Sequence, residues 1–180
     1  MIAIFVGAVA TAAIRRHFSG PPDVPAASQS YSEDAAPSPY VEEEAILFGS
    51  PTCGASTING LAARTASLID SLRAAAQAKG DSFTTVGVSI DGPVADGLSW
   101  LEPFGTFDEV VIGHNWLNSA VADHIWSDPG ATPALPQLIL VRRHVAQGQQ
   151  AIRIGPDTVV HRWVGTGDLA PAIVAALRHQ

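Results

Sequence analysis

From Ala45 onward, apolar runs that fit strands alternate with runs of helical period, and this alternation narrows the possible architectures more than any other property of the chain. Ala45-Ile46-Leu47-Phe48-Gly49 is a short apolar run bounded by turn residues, which reads as a buried strand. Ser50 followed by Pro51 fits an N-cap and a first helical position. Ile58, Leu61, Ala62, Thr65, Leu68, Ile69, Leu72 and Ala76 then recur at helical spacing until Lys79-Gly80 stops the helix. Phe83 to Asp91 is a second β-rich run, followed by a helical stretch from Val94 to Leu101. A third unit joins the strand Phe107 to Gly113 to a helix from Leu117 to Trp126, with Leu117, Val121 and Ile125 on one face. Strands alternating with helices predict a mostly parallel sheet covered on both faces. The pattern then changes. Leu138 to Val141 and Val159 to Val164, joined by a polar connection containing glycine, read as an antiparallel pair, and a helix from Asp168 to Arg178 closes the chain.

Three segments follow from this reading. Residues 45–180 form the folded domain, and 180 residues with 47% hydrophobic content suffice for one such domain plus a tail. Residues 18–44 are rich in Pro, Ala, Ser and Asp and read as an extended linker. Residues 1–17 begin with an uncharged apolar run, Met1 to Ile14, closed by Arg15-Arg16-His17. This run is short for a full span of about 20 residues, and it reads as a membrane anchor or signal segment, with Ala10-Thr11-Ala12 as a small-residue cleavage site. Membrane association with the domain on the periplasmic face is the expectation. Arg15 and Arg16, lying after the run, argue for the opposite orientation by the positive-inside rule.

Cysteine occurs once, at Cys53, between the first strand and the first long helix. A thiol in the first turn of a helix faces unpaired backbone N–H groups, which favour the thiolate and raise nucleophilicity at neutral pH. The plainer alternative is a small buried hydrophobe. A single cysteine excludes an intramolecular disulfide. The formal charge of −7, with 17 acidic against 10 basic residues, excludes the clustered cations of a nucleic-acid groove. No cofactor is expected. Gly165-Thr166-Gly167 lacks the third glycine of a dinucleotide fingerprint, and His114, His124, His144 and His161 lack zinc-ligand spacing. Trp100, Trp116, Trp126 and Trp163 read as core aromatics, with Trp116 the one placed to flank a binding groove.

In Leu135-Pro136-Gln137-Leu138, a proline stands directly before an apolar strand, where it cannot donate a ladder hydrogen bond. Together with Thr52-Cys53-Gly54-Ala55-Ser56, this order of elements resembles the thioredoxin-like superfamily over about Ala45 to Leu177. The resemblance implies a three-layer α/β/α fold with a mixed sheet. The long interval between Cys53 and Pro136 leaves room for an inserted β-α unit, supplied by Phe107 to Trp126, as in membrane-tethered thiol-disulfide reductases of that superfamily. It also implies that Cys53 is the nucleophile and Pro136 the cis-proline lying against it. Where the family motif has its second, resolving cysteine, this chain has Ser56, and Thr52 and Ala55 replace the usual tryptophan and proline. Cys53 would therefore act as a monothiol on a protein disulfide, with an external thiol reductant releasing the mixed disulfide and Ser56 donating a hydrogen bond to the thiolate. A redox-inactive binding module built on the same groove is the alternative. A one-cysteine peroxidase comes third, since Ser50 fits its pattern three residues before the cysteine but Ile46 does not fit seven before.

Overall fold

A strand with nonpolar residues on both of its faces needs cover above and below, and Tyr40–Gly49 (β1) has it. In the computed structural model, which describes residues 39–147 and 152–169, Ala45, Ile46, Leu47 and Phe48 are all at most 1% exposed. The expected anchor at 1–17 and nearly all of the linker lie outside the described residues, as does the last helix beyond residue 169. Where the linker meets the domain, the boundary is corrected: the strand begins at Tyr40, so Tyr40 to Glu44 belong to the sheet. The charges of Glu42 to Glu44 concealed this, because each is neutralised by a basic residue brought from elsewhere in the chain.

β1 is followed by a 3₁₀ turn at Gly54–Thr57 and the helix Leu61–Lys79 (α1), then by Ser82–Ser89 (β2), Val94–Leu101 (α2) and Glu109–Ile112 (β3). A short helix at Ser119–Val121 (α3) passes into a π-helical turn at Ala122–Trp126. The strands Gln137–Gln147 (β4), Ile152–Ile154 (β5) and Thr158–Val164 (β6) follow, and residues 165–169 are helical. β1 pairs parallel with β2 and β2 parallel with β3, while β4 runs antiparallel to β1, β5 and β6. The sheet is therefore mixed, ordered β3-β2-β1-β4, with β5 and β6 both on β4.

Alternation along β1 divides the interior. Ala45 and Leu47 face one core, with Leu61, Leu68 and Ile69 of α1, Trp100 and Leu101 of α2, Phe104 and Leu169. Ile46 and Phe48 face the other, with Val121 and Ile125 of the third helical segment. Helices on both sides of a mixed sheet make the three-layer α/β/α architecture expected from the sequence. The unit expected as inserted, Phe107 to Trp126, comprises β3, which extends the sheet edge, and α3 with its π-helical turn, which covers the second core.

Two helical expectations need correction. The first helix does not start at Ser50-Pro51. Gly60 takes a left-handed conformation (φ 75°) and α1 begins at Leu61, which leaves Ile58 45% exposed rather than in the core. The helix expected over Leu117 to Trp126 starts at Ser119, because Asn118 turns the chain and accepts the Ala120 N–H at 3.0 Å as an N-cap. At the other end of α1, the N–H groups of Gly80 (φ 80°) and Asp81 bond Gln77 and Ala76 carbonyls, each at 3.0 Å, closing the helix in a Schellman-type cap.

The acidic start of β1 is held by cations across the sheet. Glu43, 2% exposed, accepts from Lys79 Nζ at 3.0 Å and from the Arg142 guanidinium, its cross-strand neighbour on β4. Arg143 reaches Glu42 at 2.9 Å and Glu44 at 3.2 Å. Burial pushes the Glu43 carboxyl up, but the hydrogen bonds from Arg142 and Lys79 outweigh it and hold the group below the ordinary glutamate value of 4.5. At Glu44 burial wins over Arg143, and the carboxyl is raised. A depressed folded-state pKa stabilises the fold above the unfolded value, and that contribution is lost as the pH falls through the folded one. Glu43→Gln should therefore lower stability at pH 7 by about 2 kcal/mol and flatten the loss of stability below pH ~4.5, as measured by urea unfolding across pH.

Candidate active site

At the end of β1 the chain cannot continue into the sheet, and side-chain hydroxyls take over the backbone's hydrogen bonding. Ser50 Oγ accepts the Thr52 N–H at 3.1 Å, and the Cys53 N–H bonds the Ser50 carbonyl at 3.2 Å. Thr52 Oγ1 donates to Asp91 Oδ1 at 2.8 Å, so the 2.9 Å contact between Ser50 Oγ and Thr52 Oγ1 is donated by Ser50. Asp91 follows β2, and this chain of hydroxyls ties the cysteine turn to the neighbouring strand. Cys53 is the N-cap of the 3₁₀ turn, and its carbonyl accepts the Ser56 N–H at 2.9 Å. The expected place for the thiol, in the first turn of the long helix, is thus corrected: a separate short turn carries it, and the nearby donors belong to that turn rather than to α1.

The Cys53 thiol experiences opposing effects. Burial raises its pKa. The Ser56 hydroxyl and the backbone N–H groups of Ser56 and Ala55 lower it by more, and the Asp91 carboxylate pulls it back up, leaving it below that of an ordinary thiol. Ser56 is 2% exposed, and its Oγ has no hydrogen-bond partner while Cys53 is a thiol. A thiolate would supply an acceptor for that hydroxyl. Asp91 Oδ2 is likewise buried without a partner.

Across from this turn lies the loop before β4. The Leu135-Pro136 peptide bond is cis, and Cys53 Sγ is 3.9 Å from the Leu135 carbonyl oxygen. The three residues singled out from the sequence, Cys53, Ser56 and Pro136, are thus brought to one place. Sequence reasoning missed what holds the loop. Gln137 is fully buried, donates to the Ala134 carbonyl at 2.8 Å and accepts from Arg162 at 3.0 Å. Arg162 in turn bonds the His124 carbonyl at 2.9 Å and Asp128 at 3.1 Å, and the Pro136 carbonyl accepts the Gly165 N–H at 2.7 Å. A polar residue at the first position of an apolar strand was the available signal.

Between the two loops runs an open groove of about 400 Å³, with Cys53 and Asp91 on one side, Pro133 to Leu135 on another, and Asn115 and Trp116 on a third. The third wall comes from a segment with consecutive positive φ values at Gly113 (94°), His114 (61°) and Asn115 (52°). Such a run is unusual outside glycine and persists where the surroundings fix it. Here the Gly113 and Asn115 N–H groups bond the Ser89 and Ile90 carbonyls, each at 2.9 Å, and Asn118 Nδ2, buried, donates to the Gly113 carbonyl at 2.9 Å. Of the four tryptophans expected in the core, Trp100 is buried there and Trp116 lines the groove, the place the sequence left open for it; the expectation is corrected at Trp126, which is 52% exposed and whose Nε1 donates to the Trp116 carbonyl at 2.7 Å. Trp116 stands in a short 3₁₀ turn and Trp126 ends the π-helical turn.

A second hollow, of about 330 Å³, lies on the face covered by α3 and is lined by Glu44, Asp123, His124, Arg143 and Asp157 among others. Arg143 pairs there with Glu44 at 3.2 Å and Asp157 at 3.8 Å. Burial holds His124 below its ordinary pKa.

No family model matches the chain, and no curated protein matches it. Among solved structures it is similar to that of MTB dsbF in its mixed oxidized and reduced forms, with 14% identity over 75% of this chain and 81% of that one, and a TM-score of 0.33. It is also similar to a secreted Mycobacterium tuberculosis disulfide oxidoreductase homologous to E. coli DsbE, with 17% identity over 74% of this chain and 81% of that one, and a TM-score of 0.34.

Because the Ser56 hydroxyl lowers and the Asp91 charge raises the thiol's pKa, the two substitutions should act in opposite directions. Ser56→Ala should slow iodoacetamide alkylation of Cys53 at pH 7 by roughly threefold, and Asp91→Asn should speed it by a similar factor, as followed by mass spectrometry.

Proposed function

We propose that this protein carries out thiol-disulfide exchange through Cys53 acting as a monothiol, on a protein disulfide presented in the groove beside Pro136. The observation that carries this reading is the placement of a thiol of lowered pKa in an open groove against the cis-proline loop. The thiolate attacks one sulfur of the substrate disulfide; that S–S bond breaks, a Cys53 mixed disulfide forms, and the other substrate sulfur leaves as thiolate. Ser56 cannot complete the reaction, because its oxygen cannot form a disulfide. A second thiolate, from a small thiol or a partner protein, must attack the mixed disulfide, taking the substrate sulfur into a new disulfide and returning Cys53 as thiolate. Ser56 favours the attacking form, and backbone groups flanking Pro136 align an extended substrate segment by strand-like pairing. The apolar run Met1 to Ile14 supports a membrane-tethered version of this activity, on the periplasmic face.

A second reading, a redox-inactive module that binds a partner through the same groove, draws on one observation, the replacement of the resolving sulfur by Ser56. Incubation with a disulfide-linked peptide separates the two. Exchange predicts a mixed disulfide at Cys53, detected by mass, which persists until an external thiol is added and is absent in Cys53→Ser. A wild-type chain that binds the peptide but stays wholly reduced would sink the exchange reading and leave the binding module.

A further inference from the structure

The turn that carries Cys53 is anchored from a distance by a residue with no place in the exchange chemistry. Ser56 is buried, and its carbonyl accepts the Trp100 indole N–H at 3.1 Å from helix α2. A buried carbonyl without a partner is costly, and water does not reach this one to substitute. The indole ring itself lies where a side chain on residue 49 would be. A Cβ on Gly49 would stand 2.1 Å from Trp100 Cη2 and 2.3 Å from Cζ2, so the last residue of β1 has to be glycine for the ring to occupy this position. Phe104 supports the ring from behind, with centroids 4.8 Å apart.

We propose that Trp100 is a positioning residue for the Cys53 nucleophile, its indole N–H holding the Ser56 carbonyl and with it the turn whose donors face the sulfur. The proposal rests on the exchange reading for its purpose, though not for its geometry. The residue that presents its hydroxyl and N–H toward the thiol has its carbonyl, in the peptide unit that follows, fixed by the indole, so releasing that carbonyl would let Ser56 rotate about its backbone and carry its donors away from the sulfur. Trp100 belongs to α2, so this helix supports the cysteine turn as well as covering the first core. Gly49 and Trp100, 51 positions apart in the chain, act as a matched pair: one vacates the space that the other fills.

A core tryptophan that only fills space would lose little chemistry on becoming phenylalanine. Trp100→Phe retains an aromatic ring over Gly49 while removing the N–H, and the pH profile of Cys53 alkylation separates positioning from packing. The expected result is a thiol pKa raised by between half a unit and one unit, seen as a roughly three- to tenfold slower alkylation at pH 7, with an unchanged plateau rate at high pH where the thiol is fully ionised. A folded Trp100→Phe with the wild-type profile would overturn the proposal. Should that variant fail to fold, the wild-type protein supplies the test: the Trp100 indole N–H resonance should shift along the Cys53 titration and stay flat in Cys53→Ser, and a flat response in wild type would overturn it. Failure of the exchange reading is distinguishable, because a wild-type thiol that forms no mixed disulfide would still show the difference in pKa between the two chains.

Discussion

Burial of β1 on both faces is the constraint on which the remaining architecture depends. Four consecutive apolar residues at its centre are at most 1% exposed, which requires a neighbour on each edge and a helical layer on each side. β2 and β4 provide the edges, one parallel and one antiparallel, and the two pairings bring the segments that follow β1 and β2 and the segment that precedes β4 to one end of the sheet. The cysteine turn leaves the C-terminal end of β1, Asp91 follows β2, and Pro136 lies just before β4. The groove is a consequence of the strand order, since chemically useful groups at the ends of adjacent strands meet without any further folding.

Within that groove the thiol is governed by short-range donors set against burial and a carboxylate. Burial and Asp91 favour the neutral thiol, and three donors from Ala55 and Ser56 favour the thiolate more strongly. The balance is sensitive to the orientation of one short turn. This turn is held at several points: by Ser50 and Thr52 on its entry side, by Asp91 across the strand, and by Trp100 beneath. The opposite wall is held as tightly, through Gln137 and Arg162. A site made from two loops gains its rigidity from buried side-chain hydrogen bonds, because loops lack the repeating backbone bonds that stiffen helices and strands.

The proposed exchange through a single thiol would have a kinetic consequence. With Ser56 in place of a second sulfur, a mixed disulfide at Cys53 would have no internal route of escape, and its lifetime would depend on thiols from outside. The open form of the groove suits that requirement, since a second thiol must approach the sulfur while the first partner is attached. The Ser56 hydroxyl, buried and without a hydrogen-bond partner, would be free to donate to a thiolate at Cys53.

The strand-helix alternation, the helix Val94 to Leu101 and the antiparallel return at the end were legible because each depends on residues a few positions apart, and the Cys53 and Pro136 motifs could be matched to the thioredoxin-like fold by their order along the chain. Tyr40 to Glu44 concealed their place in the sheet because Lys79, Arg142 and Arg143, which offset those charges, are remote in sequence. The start of α1 was misread because Ile58 happens to fall on the apolar period although Gly60 breaks it. Asp91, Trp100 and Arg162 carried no local mark of their roles, Gln137 showed only as a polar residue at the head of an apolar strand, and the place of Trp116 in the groove depends on a loop with left-handed residues. By itself, then, the sequence determined the order and type of the described elements and the position of the single thiol, since periodicity and composition are local properties. Only the tertiary structure decided which turn holds the sulfur and which groups set its ionisation, because those depend on contacts between residues tens of positions apart that packing alone brings within hydrogen-bond reach.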